Sequence, residues 1–208
     1  MVFFEDECHL LWGDLCGYVW AAAIGVKLPE RVLGGIIPPK ISHPETCLGK
    51  TSERIEVPIV NERSKQTYYG ALNVHTQQCL IQAADAGNSE GTIAFLKYLL
   101  GQYPDSRIAL IWDGATYHRS QEVRAYLETV NRGFIESNWK ITCIRFAPND
   151  PKQNPIEDIW LQAKRLIREY YHLCKSFGAL KVLFELATHR QTFDFPKLFT
   201  YGFFSQII

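Results

Sequence analysis

The sequence lacks an excess of charge of either sign, a long apolar run and closely spaced cysteine pairs. Lys+Arg and Asp+Glu both number 22 among the 208 residues, so the formal net charge is zero. That balance argues against a protein that holds nucleic acid by bulk charge alone. No apolar run reaches the roughly 20 residues of a membrane span, and the acidic start MVFFEDECH lacks the basic residues of a signal peptide. We therefore predict a cytoplasmic protein without a membrane anchor.

The cysteines have no spacing typical of a zinc site, because no CxxC pair occurs. Disulfide frameworks belong mainly to short secreted chains. We predict that all six are free thiols packed as small apolar side chains. They are Cys8, Cys16, Cys47, Cys79, Cys143 and Cys174.

The apolar content, 47% with 13% aromatic residues, suffices for one packed core. In the first half, short apolar segments between turns predict an antiparallel meander, whereas the continuous apolar run at 108–112 predicts a central strand covered on both faces. Together they indicate an α/β fold, with one mixed sheet and helices on its faces. The predicted strands are 2–4, 17–20, 67–72, 79–83, 108–112 and 141–146, and the predicted helices begin near Ser89, Ser120 and Asn154.

Two segments depart from this pattern. Residues 21–48 are rich in glycine and proline with little periodicity, and loops this long are uncommon inside compact domains. We interpret 21–48 as an insertion that projects from the sheet. Residues 191–208 form an aromatic-rich tail, so the predicted domain spans 2–190.

Three carboxylates are candidates for a site. Asp6 and Asp113 each follow an apolar segment, where burial beside a core leaves a carboxylate desolvated unless a positive group neutralises it. Each could equally cap a turn, and Asp113-Gly114 is a common turn dipeptide.

Glu157 is the third candidate, and it also has a structural alternative. Asn154, Pro155 and Glu157 form the pattern of a helix start, with Asn as the N-cap and Glu returning a bond to it. On the helical wheel, Lys164 and Arg168 fall within about 20° of Glu157. The carboxylate could bind metal ions, and the two cations could contact a phosphate backbone. An ordinary solvent-exposed helix face would show the same pattern of charges.

Five motifs, taken together, are more specific than any single residue. They are FEDE at 4–7, YGALN at 69–73, FLKYLL at 95–100, LIWDGATYH at 110–118 and NPIEDIWLQAKR at 154–165. In this order they resemble the catalytic domain of DDE transposases of the mariner superfamily, in particular the six-thirty group of bacterial insertion sequences. The NPIE element, with a Trp three residues after its Glu, is the most specific of them.

The resemblance implies a ribonuclease-H-like fold, with a mixed five-stranded sheet in which the first and fourth strands are neighbours. Asp6, Asp113 and Glu157 would then converge as the catalytic and metal-binding acids, with Asp158 as the fallback for the third. Two Mg²⁺ or Mn²⁺ ions roughly 4 Å apart would serve phosphodiester hydrolysis and transesterification at insertion-sequence ends. His118 would contact a phosphate or a site carboxylate.

The resemblance also implies partners. They are the element's terminal repeats and target DNA in the nucleoid, contacted by Lys164 and Arg168, and a second copy of the chain in a synaptic complex. The helix-turn-helix that relatives carry before the first strand is expected in a separately encoded partner.

Two departures from the family pattern keep alternatives open. Gly114 stands where the family usually has Asn, and the segment at 21–48 interrupts the pattern. The chain could be a catalytically inactive transposase remnant, disabled by the insertion or by the lack of its DNA-binding region. Another ribonuclease-H-like nuclease, such as a resolvase, is the third alternative, and the NPIE element argues against it.

Overall fold

The computed structural model describes residues 1–12, 64–146, 154–170 and 174–194. These residues form five strands, four α-helices and two short 3₁₀ turns at Tyr117–Arg119 and Glu136–Asn138. In chain order the strands and α-helices are β1 (Val2–Leu11), β2 (Lys65–Asn73), β3 (Cys79–Ala84), α1 (Ser89–Gln102), β4 (Ile108–Trp112), α2 (Gln121–Asn131), β5 (Ile141–Arg145), α3 (Ile156–Glu169) and α4 (Phe177–Thr188).

The five strands form one mixed sheet in the order β3-β2-β1-β4-β5. β1, β2 and β3 pair antiparallel, whereas β4 pairs parallel with both β1 and β5. Parallel neighbours need a crossover connection, and α1 and α2 supply it before and after β4. The sheet order and the flanking helices confirm the predicted ribonuclease-H-like fold, with the first and fourth strands side by side.

β1 is much longer than the sequence predicted. It runs for ten residues, so the expectation that the strand ends at Phe4 and that Asp6 follows its end is wrong. The acidic residues 5–7 stay extended because β1 pairs with β2 along its whole length, from Phe3 to Leu11. Ladder hydrogen bonds thus decide the strand limit here, against the low strand propensity of acidic residues.

The two faces of the sheet carry separate cores. Odd-numbered residues of β1 and β2 face α1 and α2, and even-numbered residues face α3 and α4, as the period of a strand requires. Adjacent tyrosines on β2 illustrate the alternation, because Tyr68 packs against Phe184 of α4 and Tyr69 against Phe95 of α1. All four rings are at most 1% exposed.

Two helices begin differently from the sequence prediction. Asn88, not Ser89, caps α1, since its Oδ1 accepts from the Gly91 N–H at 2.8 Å. Asn154 does not cap α3, where Pro155 occupies the cap position without a side-chain bond. The predicted capping box is therefore wrong, because Asn154 uses its side chain in a tertiary contact. Ser120 caps α2 and accepts from the backbone of the third helical residue, near the predicted helix start.

Several predictions fall outside the described residues. They are the strand at 17–20, the insertion at 21–48 and most of the tail at 191–208. The described part of the tail runs beside β3, where Thr192 forms a bridge with Gln78. Among the described cysteines, Cys8, Cys79, Cys143 and Cys174 are free thiols. None of the described helices has the length and apolar character needed to cross a membrane.

Candidate active site

Asp6 and Asp113 lie at the same level of the two central parallel strands. β1 pairs with β4 in a register that sets Phe4 beside Ile111. Two residues further along both strands, this register sets Asp6 level with Asp113, which directly follows β4. Strand pairing thus sets two residues that are distant in sequence at the same level of the sheet.

An indole holds the carboxylate of Asp6 on the α3 face of the sheet. Trp160 Nε1 donates to Asp6 Oδ2 at 3.0 Å. Gly70 is the partner of Asp6 on β2, and a Cβ at Gly70 would come within 2.3 Å of Cη2 of Trp160. The missing side chain at Gly70 therefore leaves the space through which the tryptophan reaches the acid.

Glu157 lies exposed on the first turn of α3. The start of this helix is tied to β1, because Asn154 Nδ2 donates to the backbone carbonyl of Glu5 at 3.1 Å. Ile156 and Ile159 are fully buried on the inner side of the same turn. These contacts fix the helix start that carries Glu157 beside the strand that carries Asp6.

Asp113 sits in a turn that fixes one of its oxygens and leaves the side chain accessible. Its Oδ1 accepts from the Ala115 N–H at 2.8 Å and lies 3.2 Å from His118 Nδ1. The side chain is 51% exposed. Asp113 can therefore receive a ligand from solvent while the Ala115 N–H fixes the orientation of its carboxylate.

Negative charge accumulates around Asp6. Burial raises the pKa of Asp6 to about 7, and the charge of Glu7 and, after it, that of Glu157 add to the increase. Burial also raises the pKa of Glu157, followed by the charges of Asp158 and Asp113. Asp6 and Asp113 are therefore both within electrostatic reach of Glu157.

The donor chemistry of these three acids fits hard divalent cations. Asp6, Asp113 and Glu157 offer carboxylate oxygens, the ligands that Mg²⁺ and Mn²⁺ prefer. The raised pKa values of Asp6 and Glu157 reflect in part a like-charge repulsion that a cation would relieve. The residues present are thus suited to the metal ions that the sequence resemblance implies.

A second group of titratable side chains lies on the opposite face of β1. His118 Nε2 is 3.1 Å from Glu7 Oε1 and 3.8 Å from Glu5 Oε2. Among the described residues, only Glu5, Glu7 and His118 supply three possible metal-ligand atoms that all lie within 4.8 Å of one another. His118, which the sequence singled out, therefore contacts carboxylates from both β1 and the turn after β4.

The two predicted cations of α3 differ in position. Lys164 Nζ donates to the backbone carbonyl of His9 at 3.1 Å, which places its charge near the C-terminal end of β1. Arg168 lies half-buried in the last turn of the helix. Asp158, the fallback acid, is exposed beside Glu157.

Sequence reasoning missed the indole donor to Asp6 and the role of Glu5 and Glu7. Strand alternation is the signal that could have found the two glutamates, because residues 5 and 7 must share the face opposite to residue 6. Ending β1 at residue 4 hid that alternation. Nothing in the sequence alone indicates that the Trp160 ring reaches a carboxylate 154 positions away.

A mixed sheet of this strand order, with helices on both faces, is the ribonuclease-H-like fold. Residues 48–181, more than half of the chain, match the family model described as DDE superfamily endonuclease. The chain belongs to this family. The matched span contains Asp113 and Glu157 and begins after Asp6.

Solved structures with a related fold come from transposases and integrases. The Mos1 transposase paired-end complex with left transposon end has 13% identity and a TM-score of 0.47, covering 99% of this chain and 47% of that one. The simian T-cell lymphotropic virus intasome, solved with PP2A regulatory subunit B56 gamma, has 13% identity and a TM-score of 0.48, covering 64% of this chain and 46% of that one. The catalytic core domain of BIV integrase has 11% identity and a TM-score of 0.44, covering 69% of this chain and 91% of that one.

The chain thus spans about half the length of the transposase and intasome chains. No curated protein matches it significantly.

Proposed function

We propose that this chain is the catalytic core of an insertion-sequence transposase of the mariner superfamily, six-thirty group, that cleaves DNA at the element's ends and joins them to a target. Membership of the DDE superfamily endonuclease family supports a nuclease. The observation that carries the proposal is the parallel register of β1 and β4, which sets Asp6 level with Asp113. The motif NPIE, which contains Glu157, supports the transposase branch.

In this proposal Asp6, Asp113 and Glu157 hold two divalent cations, Mg²⁺ or Mn²⁺. When bound, such ions polarise a phosphodiester and make water or a 3′-hydroxyl a stronger nucleophile. The chain's own contribution is orientation. Trp160 fixes one oxygen of Asp6 by its N–H, and the Ala115 N–H fixes one oxygen of Asp113.

The sheet and the first turn of α3 position these acids before DNA arrives. β1 pairs with β2 at Asp6 and with β4 two residues earlier, up to Phe4, so the backbone around Asp6 is held by the sheet. Preorganised charges cost little reorganisation when the reaction occurs. We assign Lys164 and Arg168 to contacts with the DNA backbone, which position a duplex without reading its sequence.

The proposed partners follow from the same assignment. They are the terminal repeats and target DNA of the nucleoid, a second copy of the chain in the synaptic complex, and a separately encoded helix-turn-helix protein that recognises the ends. We also propose that residues 2–190 form one catalytic domain, with 21–48 as an insertion and 191–208 as a tail.

The direct test is the effect of Mg²⁺ on stability. A ligand that binds only the folded state stabilises it by about 2.7 kcal/mol at a hundredfold excess over Kd, which is roughly 5 to 10 °C in Tm for a chain of this size. Glu157→Gln should abolish most of that shift, because it removes one ligand while keeping the side-chain shape. Asp158→Asn is the matched control, since it removes the same charge one residue away and should keep the shift.

Nicking of a duplex that carries the inverted repeats flanking the coding sequence is the second measurement. Glu157→Gln should reduce the rate by roughly a thousandfold, as expected when about 4 kcal/mol of transition-state stabilisation is lost. Equal Mg²⁺ shifts in the wild type and Glu157→Gln would reject Glu157 as a ligand. No shift in the wild type would favour the inactive remnant.

A further inference from the structure

The cluster of Glu5, Glu7 and His118 lies on the face of the sheet opposite to Asp6, and Asp113 borders it through His118. Glu5 and Glu7 project towards α1 and α2, whereas Asp6 between them projects towards α3. His118 reaches the cluster from the 3₁₀ turn that follows β4. The cluster therefore joins the middle of β1 to the segment that carries Asp113.

Glu5 is the least compensated member of this cluster. Its side chain is 1% exposed, and neither Oε1 nor Oε2 has a hydrogen-bond partner. Burying an ionised carboxylate without a partner is strongly unfavourable, so native structures rarely leave both oxygens unsatisfied. A buried, unpartnered carboxylate directed at an imidazole and a second carboxylate indicates that the cluster is built to receive a positive ligand.

The imidazole of His118 is held as a metal-binding imidazole usually is. Its ring stacks on Trp112 with 4.3 Å between centroids, and Tyr117 packs edge-on at 4.8 Å. Nδ1 lies 3.2 Å from Asp113 Oδ1, while Nε2 faces the two glutamates. A carboxylate beside the far nitrogen is common for metal-bound histidine, and here Asp113 lies within ion-pair distance of Nδ1 without a hydrogen bond to it.

We propose that Glu5, Glu7 and His118 bind one transition-metal cation of the Zn²⁺ type, at a site that shares no ligand with the proposed catalytic acids. Nε2 is 3.1 and 3.8 Å from the two glutamate oxygens. Donors of a tetrahedral ion held at about 2.1 Å are about 3.4 Å apart, so these distances suit such an ion. The ion takes the place of the proton that Nε2 shares with Glu7.

The donor set also selects the metal. One imidazole nitrogen with two carboxylates favours Zn²⁺ and Co²⁺ over Mg²⁺, because imidazole suits later transition metals. The site links β1 to the turn after β4, so its role is to fix the position of the Asp113 segment. The proposal does not depend on transposase activity.

The experiment titrates the metal-free 208-residue chain with Co²⁺, whose visible absorption reports coordination by protein donors, and then displaces Co²⁺ with Zn²⁺. We expect one tight Co²⁺ site in the wild type and in Glu157→Gln, which leaves this cluster intact. Glu5→Gln should weaken Zn²⁺ binding at least tenfold. Mg²⁺ at a hundredfold excess should not displace Co²⁺.

The folded state of each variant is checked by its melting temperature without metal. Glu5→Gln should melt no lower than the wild type, because it removes a buried charge; if it does not fold, Glu7→Gln, at a less buried position, replaces it with the same expected loss. Absence of a Co²⁺ band in the wild type would overturn the proposal and leave His118 as a proton-carrying partner of Glu7. A band lost in Glu157→Gln but kept in Glu5→Gln would also overturn it, by assigning the ion to the catalytic acids.

Discussion

Neighbouring carboxylates on the two faces of β1 differ in hydrogen bonding and in access to solvent. On the α3 face, Asp6 receives an indole N–H, and Glu157 lies exposed on the first turn of the helix that covers this face. On the α1 face, Glu5 is sealed from solvent and receives no donor. A strand that alternates acids can thus present one carboxylate to an open site and enclose the next. The difference between the faces is one of access and hydrogen bonding.

The first prediction tests whether packing also differs between the faces. Phe95 and Phe184 are both fully buried, and each packs on one of two adjacent tyrosines of β2. Phe95→Ala and Phe184→Ala should each lower the free energy of unfolding by about 3–5 kcal/mol, since each leaves a cavity. Urea denaturation measures both. If one substitution lowers the free energy of unfolding by less than half as much as the other, the two cores are not equivalent.

The second prediction concerns pH in the absence of divalent metal. Burial raises the pKa of Asp6 from 3.8 to about 7, so the folded state binds a proton more tightly than the unfolded state. This stabilisation is fully present below pH 4 and is lost as the pH rises to 7, by up to about 4 kcal/mol. Asp6→Asn should therefore gain stability relative to the wild type between pH 5 and pH 8. Parallel stability profiles for the two proteins would contradict the raised pKa.

A third prediction tests the space that lets the indole reach Asp6. Gly70→Ala should lower stability by about 1–3 kcal/mol, because the new Cβ would lie 2.3 Å from the Trp160 ring. Gly101→Ala is the matched control, since a Cβ at this helical position meets nothing within 4 Å. The control should be stabilised by roughly 0.5–1 kcal/mol through helix propensity. Thermal unfolding measures the change in stability of both variants. A change of the same sign in the two variants would reject the steric explanation.

The smallest effect is expected beside Asp113. A Cβ at Gly114 would meet nothing within 4 Å, and the residue is exposed. Gly114→Asn, which restores the residue of the family pattern, should change stability by no more than about 0.5 kcal/mol. Differential scanning calorimetry measures this directly. A larger loss would mean that the turn needs glycine for a reason the described contacts do not show.

Much of the fold could be predicted because its signals are local. The apolar run at 108–112 and the short apolar segment at 67–72 correspond to β4 and β2 of the structure. The length of β1 could not be predicted, because pairing with β2 overrides the charge of residues 5–7. Asn154 was misassigned for a related reason, since its side chain bonds the backbone of Glu5 instead of its own helix.

The candidate site also has a part that the sequence predicts and a part that depends on the tertiary structure. Asp6, Asp113 and Glu157 could be selected from motifs, and the predicted adjacency of the first and fourth strands agrees with the level positions of Asp6 and Asp113 in the sheet. The contacts that orient them come from residues far along the chain, such as Trp160 for Asp6 and Glu7 for His118. Sequence periodicity carries no information on such pairs, because they depend on how α3 and the 3₁₀ turn are placed against the sheet.

The close approach of Gly70 and Trp160 has a consequence for how this family diverges. A side chain at position 70 crowds the indole at position 160, so a lineage that acquires one is expected to replace the tryptophan and to lose the donor to Asp6. The two positions are therefore expected to covary, with glycine accompanying tryptophan. Relatives that break the pair have to hold the first acid by another group, and the order of the two substitutions in a phylogeny would show which change permitted the other.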